Sequence, residues 1–170
     1  FIINIKKYLL FYIIMQLNKF TNYNCGLLLF NIYYNNNEYL YSINCVTSWI
    51  IFYTFHLSLL LDNKAFEKMR LKNNFSFLYF HIGNFVSHII PYLYVLQHPP
   101  ENITITHSIY GLILKLLWAY FSTNGSMDLG KIYIRFSKKN IIKLYIISTS
   151  TALIVPFYYS SNISKALLLI

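Results

Sequence analysis

His81, Asn84 and His88 recur at i, i+3 and i+7 within the apolar stretch Phe75 to Gln97, and Pro91 continues the series at i+10. At about 100° per residue all four fall on one stripe of a helix. Imidazoles on such a stripe can hydrogen-bond between helices, ligate a metal or haem iron, or act as general bases. Residues seven positions apart are separated by about 10 Å of helical rise, too far for both histidines to share one small ion. A bis-histidine haem would need paired partners, and His56 and His107 do not have that spacing. No metal and no cofactor are therefore expected. Pro91 has no N–H, so it frees a backbone carbonyl one turn earlier for an ion, a water or a partner side chain.

Two further faces carry polar groups. Asn44, Thr47 and Ser48 cluster on the segment Tyr39 to Leu61. A neutral histidine beside Thr47 or Ser48 could activate its hydroxyl as a nucleophile. His107, Gly111, Lys115 and Trp118 share a face of the segment Ile103 to Ser122. Lys115 is the one charged residue deep in an apolar segment, and its long stem predicts snorkelling toward the end of the segment at Ser122.

The elements that must position these residues follow from composition. The chain is 56% hydrophobic and only 11% charged. Ordinary soluble domains are roughly 25% charged. Such a balance excludes a water-soluble core and points to a bilayer. A span needs about 20 apolar residues. Tyr39 to Leu61, Phe75 to Gln97, Ile103 to Ser122 and Ile141 to Tyr159 each satisfy this without an acidic residue. Tyr8 to Tyr34 is a weaker membrane-associated segment, broken by Gln16, Asn18, Lys19 and the polar run Thr21 to Asn24. The expected architecture is all-α, a polytopic transmembrane helix bundle with about four to five spans. It divides into a weakly hydrophobic amino-terminal membrane segment, 1–38, and a helical domain, 39–170, expected to be truncated at its carboxyl end. The excess of Tyr and Phe accompanies richness in Ile, Asn and Lys, the pattern of AT-rich coding, so it carries no argument for a binding site.

The net charge of +9 is not a nucleic-acid stripe, because the basic residues gather between the apolar segments. Loops 62–74 and 123–140 hold most of them and are predicted cytoplasmic, whereas His98 to Asn102, with Pro99, Pro100 and Glu101, has no Lys or Arg and fits the opposite side. The membrane compartment is left open. Expected partners are the lipid bilayer and other membrane proteins, with no nucleic acid. The loop residues 131–136 alternate apolar with basic or aromatic side chains and could lie as a strip against anionic headgroups, although a plain cytoplasmic anchor accounts for the same charges. Of the sequons at Asn74, Asn102, Asn124 and Asn162, this topology places only Asn102 and Asn162 outside. Cys25 and Cys45 lack metal-ligand spacing and leave a single disulfide open. Tyr33 to Glu38, rich in Asn, reads as a polar turn.

The order His88, Pro91, Pro99 and then Leu116-Leu117-Trp118-Ala119-Tyr120-Phe121 resembles part of the androgen-induced family of multi-pass membrane threonine hydrolases, over about a third of the chain. The resemblance implies an intramembrane Thr and His pair acting on lipid esters of hydroxy fatty acids, with Thr47 as nucleophile and His88 as base. The spacing from His88 to Trp118 is short for that family, a span between the Thr and His helices is absent, and the His-x-x-His pattern is missing. The expected function is a small multi-pass integral membrane protein with a structural or accessory role, the alternative being the intramembrane Thr/His lipid-ester hydrolase. A transporter is disfavoured, because no span carries a carboxylate and no inverted repeat is visible. The polar intramembrane face is expected to comprise Asn44, His81, Asn84 and His107 beside the catalytic candidates Thr47 and His88.

Overall fold

The computed structural model describes residues 19–72, 74–127 and 137–160, and among them every regular element is helical. Helix α1, Lys19–Phe30, runs into a π turn, Asn31–Asn35. The asparagine-rich stretch then reverses the chain. Asn36 adopts φ 43°, a left-handed conformation that Asn tolerates because its short amide can bond locally. Asn31 Oδ1 accepts from the Asn37 N–H at 2.9 Å, and Asn37 Oδ1 accepts from the Leu40 N–H at 2.9 Å, capping the next helix. The polar turn expected over Tyr33 to Glu38 is therefore built from asparagine side chains.

In helix α2, Glu38–Leu61, every residue from Ser42 to Ile51 is buried, as expected of a helix packed on all sides. Short α3, Asn63–Lys72, occupies the expected basic loop. Its Arg70 donates to Glu67 and to the Phe75 carbonyl, and this guanidinium holds the Glu67 carboxyl below its ordinary range. Helices α4, Phe77–Asn84, and α5, Ile90–Gln97, form one continuous run through a π turn, Phe85–Ile89. Helix α6 is Ile105–Ser122 and α7 is Lys138–Ser160. Helix α2 is the axis of this arrangement and touches α1, α5, α6 and α7.

Two apolar clusters set the relative directions of these helices. One joins Val46 and Trp49 of α2 to Val95, Ile103 and Val155; the other gathers Phe80, Ala119, Ile141 and Leu144, with Phe55 and Leu59 packed against them. The first half of α2 thus meets the end of α5 and the end of α7, and its second half meets the starts of α4 and α7 and the end of α6. Helices α4–α5 and α7 run antiparallel to α2, and α6 runs parallel to it. Val46 lies against Gly111, where an added Cβ would come within 3.1 Å of Val46 Cγ1. A larger residue there would require Val46 to give way by a few tenths of an ångström, so glycine suits the close approach of α6.

Proline supplies the links between helices. Pro99 has no N–H for the carbonyl four residues before it, that of Val95. Tyr159 Oη donates to that carbonyl at 3.2 Å. The same hydroxyl accepts from Trp49 Nε1 at 3.2 Å and from Cys45 Sγ at 3.4 Å. Pro91 leaves the Ser87 carbonyl available in the same way. Cys25 Sγ reaches it at 3.8 Å. The freed carbonyl expected from Pro91 therefore takes a thiol from α1. Both cysteines are buried free thiols, so the disulfide left open by the sequence does not form.

By length and composition two described helices can cross a membrane, Glu38–Leu61 and Lys139–Ser160. This is fewer than the four strong segments expected. The π turn divides Phe75 to Gln97 into two short helices, and α6 carries Lys115 and His107 in its 18 residues. The break Thr21 to Asn24 falls inside α1. The amino-terminal part of Tyr8 to Tyr34, the strip 131–136, Asn162 and the carboxyl-terminal end lie outside the described residues.

Removing the Tyr159 hydroxyl leaves a buried carbonyl and an indole N–H without their partner. Tyr159→Phe is expected to lower stability by about 1–2 kcal/mol, the scale of an interhelical hydrogen bond in membranes. Thermal unfolding in detergent checks this, and a midpoint equal to wild type would show the hydroxyl to be dispensable.

Candidate functional site

A cavity of about 480 Å³ opens between α1, α2 and α6. Asn24, Asn44 and Thr47 give it a polar end, Leu27, Leu114 and Trp118 form apolar walls, and Tyr23 and Phe121 stand exposed at its rim. The α1 contribution comes from Asn24, which is 3% exposed and lies on a stripe with buried Leu28 and Asn31 at i+4 and i+7. Asn44 and Thr47 are one turn apart on α2, so both face the same neighbours.

Hydrogen-bond inventory fixes how the polar end is presented. Ser48 Oγ donates to the Asn44 carbonyl at 2.9 Å, which uses its one proton. It must then accept from Asn24, and Asn24 Nδ2 donates to it at 3.0 Å. Asn24 Oδ1 is left as a buried acceptor without a protein partner, and Asn44 Nδ2 is a buried donor in the same condition. Thr47 Oγ1 donates to the Ile43 carbonyl at 2.9 Å, the back-bond common for a hydroxyl within a helix.

Of the catalytic candidates, Thr47 lines this cavity and His88 does not. The His88 ring instead stacks on Phe55, with centroids 4.0 Å apart and planes 6° from parallel. Phe55 lies eight residues beyond Thr47 on α2. That spacing is about 12 Å along the helix axis. The proton of Thr47 is thus bonded to its own helix, and no contact joins it to the imidazole.

The expected polar stripe also divides. Asn44 and His107 are buried, Asn84 is half-buried, and His81 is exposed beside Phe77 at 4.2 Å between centroids. The cause is the π turn at Phe85–Ile89. An extra residue in one turn rotates the succeeding helix by about 100° relative to the preceding one, so His81 leaves the face that Ser87 and Pro91 share. His107 completes a capping box at the start of α6. Its Nδ1 accepts from the Thr104 N–H at 3.0 Å while the Thr104 side chain accepts from the His107 N–H, so the imidazole takes the part usually filled by Glu or Gln.

Lys115 does not snorkel. It is 4% exposed, and its Nζ donates to Ser148 Oγ on α7, with the Tyr145 ring 5.5 Å away. Ser148 donates its own proton to the Leu144 carbonyl at 2.6 Å, so Thr54 Oγ1 must be the donor in its 2.9 Å contact with Ser148. One serine oxygen thereby joins α2, α6 and α7. Among the described residues no group of three or more His, Cys, Asp or Glu comes together.

The residue missed by sequence reasoning is Asn24, which looks like part of a polar break until its stripe with Leu28 and Asn31 is counted. No protein-family model, no curated protein and no solved structure matches the chain.

Two substitutions separate structural from chemical roles for these polar groups. His107→Gln is expected to keep the cap and the thermal midpoint, whereas His107→Ala loses about 1 kcal/mol. Lys115→Met replaces a buried amine that has no carboxylate partner among the described residues by an apolar side chain of similar length, and its midpoint is expected to equal or exceed wild type. A fall as large as that of Tyr159→Phe would make Lys115 a stabilising link instead.

Proposed function

We propose that the chain is a small multi-pass integral membrane protein of four to five spans, acting as a structural or accessory subunit. The observation that carries this is the inversion of polarity across the bundle. Ile82, Leu93, Ile113, Leu117, Ile146 and Phe157 stand exposed on the outside of α4 to α7, while Asn24, Asn44, Ser48, Thr54 and Ser148 bond or line a cavity between helices. In water such an outside would be unfavourable; in lipid it needs no cover, and the polar groups gain most from facing inward. Helices α4 and α5 together have a rise of about 30 Å, enough to cross the hydrocarbon core as one span despite the π turn, and α6 comes close to the same length. Exposed Lys64, Lys68 and Lys139 belong to the end where α3 and the start of α7 lie, which supports a cytoplasmic position for that end. The apolar exterior offers surface for the bilayer and for other membrane proteins.

The second reading, an intramembrane Thr/His hydrolase akin to the androgen-induced family, draws its support from Thr47 at a cavity open to the apolar exterior. The stacking of His88 on Phe55 and the internal bond of Thr47 argue for the structural role.

Three readouts test these proposals. The chain is expected to remain in the membrane pellet after alkaline carbonate washing; its release would overturn the integral reading. A cysteine placed at Lys68 and one placed at Glu101 are expected to react with an impermeant maleimide from opposite sides of sealed vesicles, and labelling from the same side would break the topology. A lipophilic fluorophosphonate is expected to leave the purified chain unlabelled. Labelling that disappears in both Thr47→Ala and His88→Ala would establish the hydrolase.

A further inference from the structure

We infer that the basic end of the bundle, where α2 meets α3 and where α4 and α7 begin, holds anionic phospholipids of the adjoining leaflet by their headgroup phosphates. This rests on the membrane-embedded reading and adds to it a choice of lipid.

Two lysine pairs carry the charge. Lys64 and Lys68 lie four residues apart on α3, and Lys139 and Lys143 lie four apart on α7, so each pair shares one face of its helix. All four are exposed. Like charges at this spacing repel each other along a helix, and an anionic layer relieves that repulsion. Leu61 at the end of α2 and Phe75 just before α4 pack against the apolar cluster that contains Ile141, which sits between the two α7 lysines. Both pairs therefore belong to one end of the molecule.

Protein carboxylates do not neutralise these lysines. Asp62 and Glu67 are the acidic residues described at this end, and both Glu67 carboxylate oxygens accept from Arg70. Among the described residues none of the four lysines enters an ion pair. The opposite end has Glu38 and Glu101, where the Glu101 N–H donates to the Glu38 carboxylate, and no Lys or Arg among the described residues. The two leaflets thus meet ends of opposite charge. Exposed Leu60, Leu71, Phe77 and Ile142 stand among the lysines. An acidic soluble protein would leave those apolar side chains in water or cover them at random. At the boundary of acyl chains and headgroups they enter the chains, while the lysine stems carry their ammonium groups out to the phosphates.

The test reconstitutes the full chain in phosphatidylcholine bilayers. Electron paramagnetic resonance then compares phosphatidylserine with phosphatidylcholine, each spin-labelled near the end of one acyl chain, because lipid held at the protein is motionally restricted. Phosphatidylserine is expected to be held about fivefold more strongly, the scale of one lysine near an anionic surface. The preference is expected to vanish in 1 M salt, where the Debye length is about 3 Å. K64Q, K68Q, K139Q and K143Q combined are expected to abolish it, and the same four changes to Arg to retain it. Should the Gln variant fail to fold, the salt dependence of the wild-type chain still decides. Equal retention of the two lipids by the wild type would overturn the inference and leave the lysines to an acidic protein partner. A preference that survives in the Gln variant or in 1 M salt would overturn it as well, and so would loss of the preference on adding soluble glycerophosphoserine, which would make free phosphate the ligand. Release of the chain by alkaline carbonate would overturn the membrane assignment on separate grounds.

Discussion

The Tyr159 hydroxyl is the point on which the arrangement of α2, α5 and α7 depends. It donates to the Val95 carbonyl and receives the Trp49 indole N–H and the Cys45 thiol, so one oxygen satisfies three groups from two other helices. The acceptor exists because Pro99 cannot donate to Val95, and a buried carbonyl without a partner is unfavourable in any apolar medium. Around this bond the Trp49 ring packs against Tyr158 and Tyr92, at 4.8 and 5.3 Å between centroids. A backbone defect in one helix thus becomes a specific contact for two others.

The same logic extends through the bundle. Pro91 exposes the Ser87 carbonyl to Cys25. The irregular chain between α5 and α6 gives its carbonyls to the start of α2, where Tyr41 Oη donates to that of His98 at 2.6 Å and Ser42 Oγ to that of Asn102 at 3.1 Å. Ser148 performs a parallel task near the other end by accepting from both Lys115 and Thr54. Polar side chains here hold helices in register, and packing with small residues such as Gly111 lets the backbones approach closely enough for those bonds to form.

Among the described residues several buried polar atoms lack a hydrogen-bond partner, including Asn24 Oδ1, Asn44 Nδ2, Ser87 Oγ, His88 Nδ1 and Ser108 Oγ. Thr47 shares the cavity yet is bonded to its own helix, and His88 is held against Phe55 by ring stacking. The base that a threonine nucleophile would need belongs to a different contact set.

Much was legible from one dimension. Apolar length and the absence of carboxylates from the long segments determined a helical chain, two of whose described helices are long and apolar enough to cross a membrane, because each is a property of composition along the sequence. The asparagine turn and the carbonyl freed by Pro91 were equally readable, since their causes are local. Only the tertiary structure decided which polar residues meet. Helical spacing predicted one face for His81 and His88, but the intervening π turn changed the phase. Isolated length and hydropathy predicted snorkelling for Lys115, but Ser148 on a distant helix offered an oxygen within the bundle. Asn24 acquired its meaning only when α1 was laid against Ser48. Hydrogen bonds between helices depend on rotation, tilt and depth taken together, and those three quantities are set by packing among segments far apart in the chain.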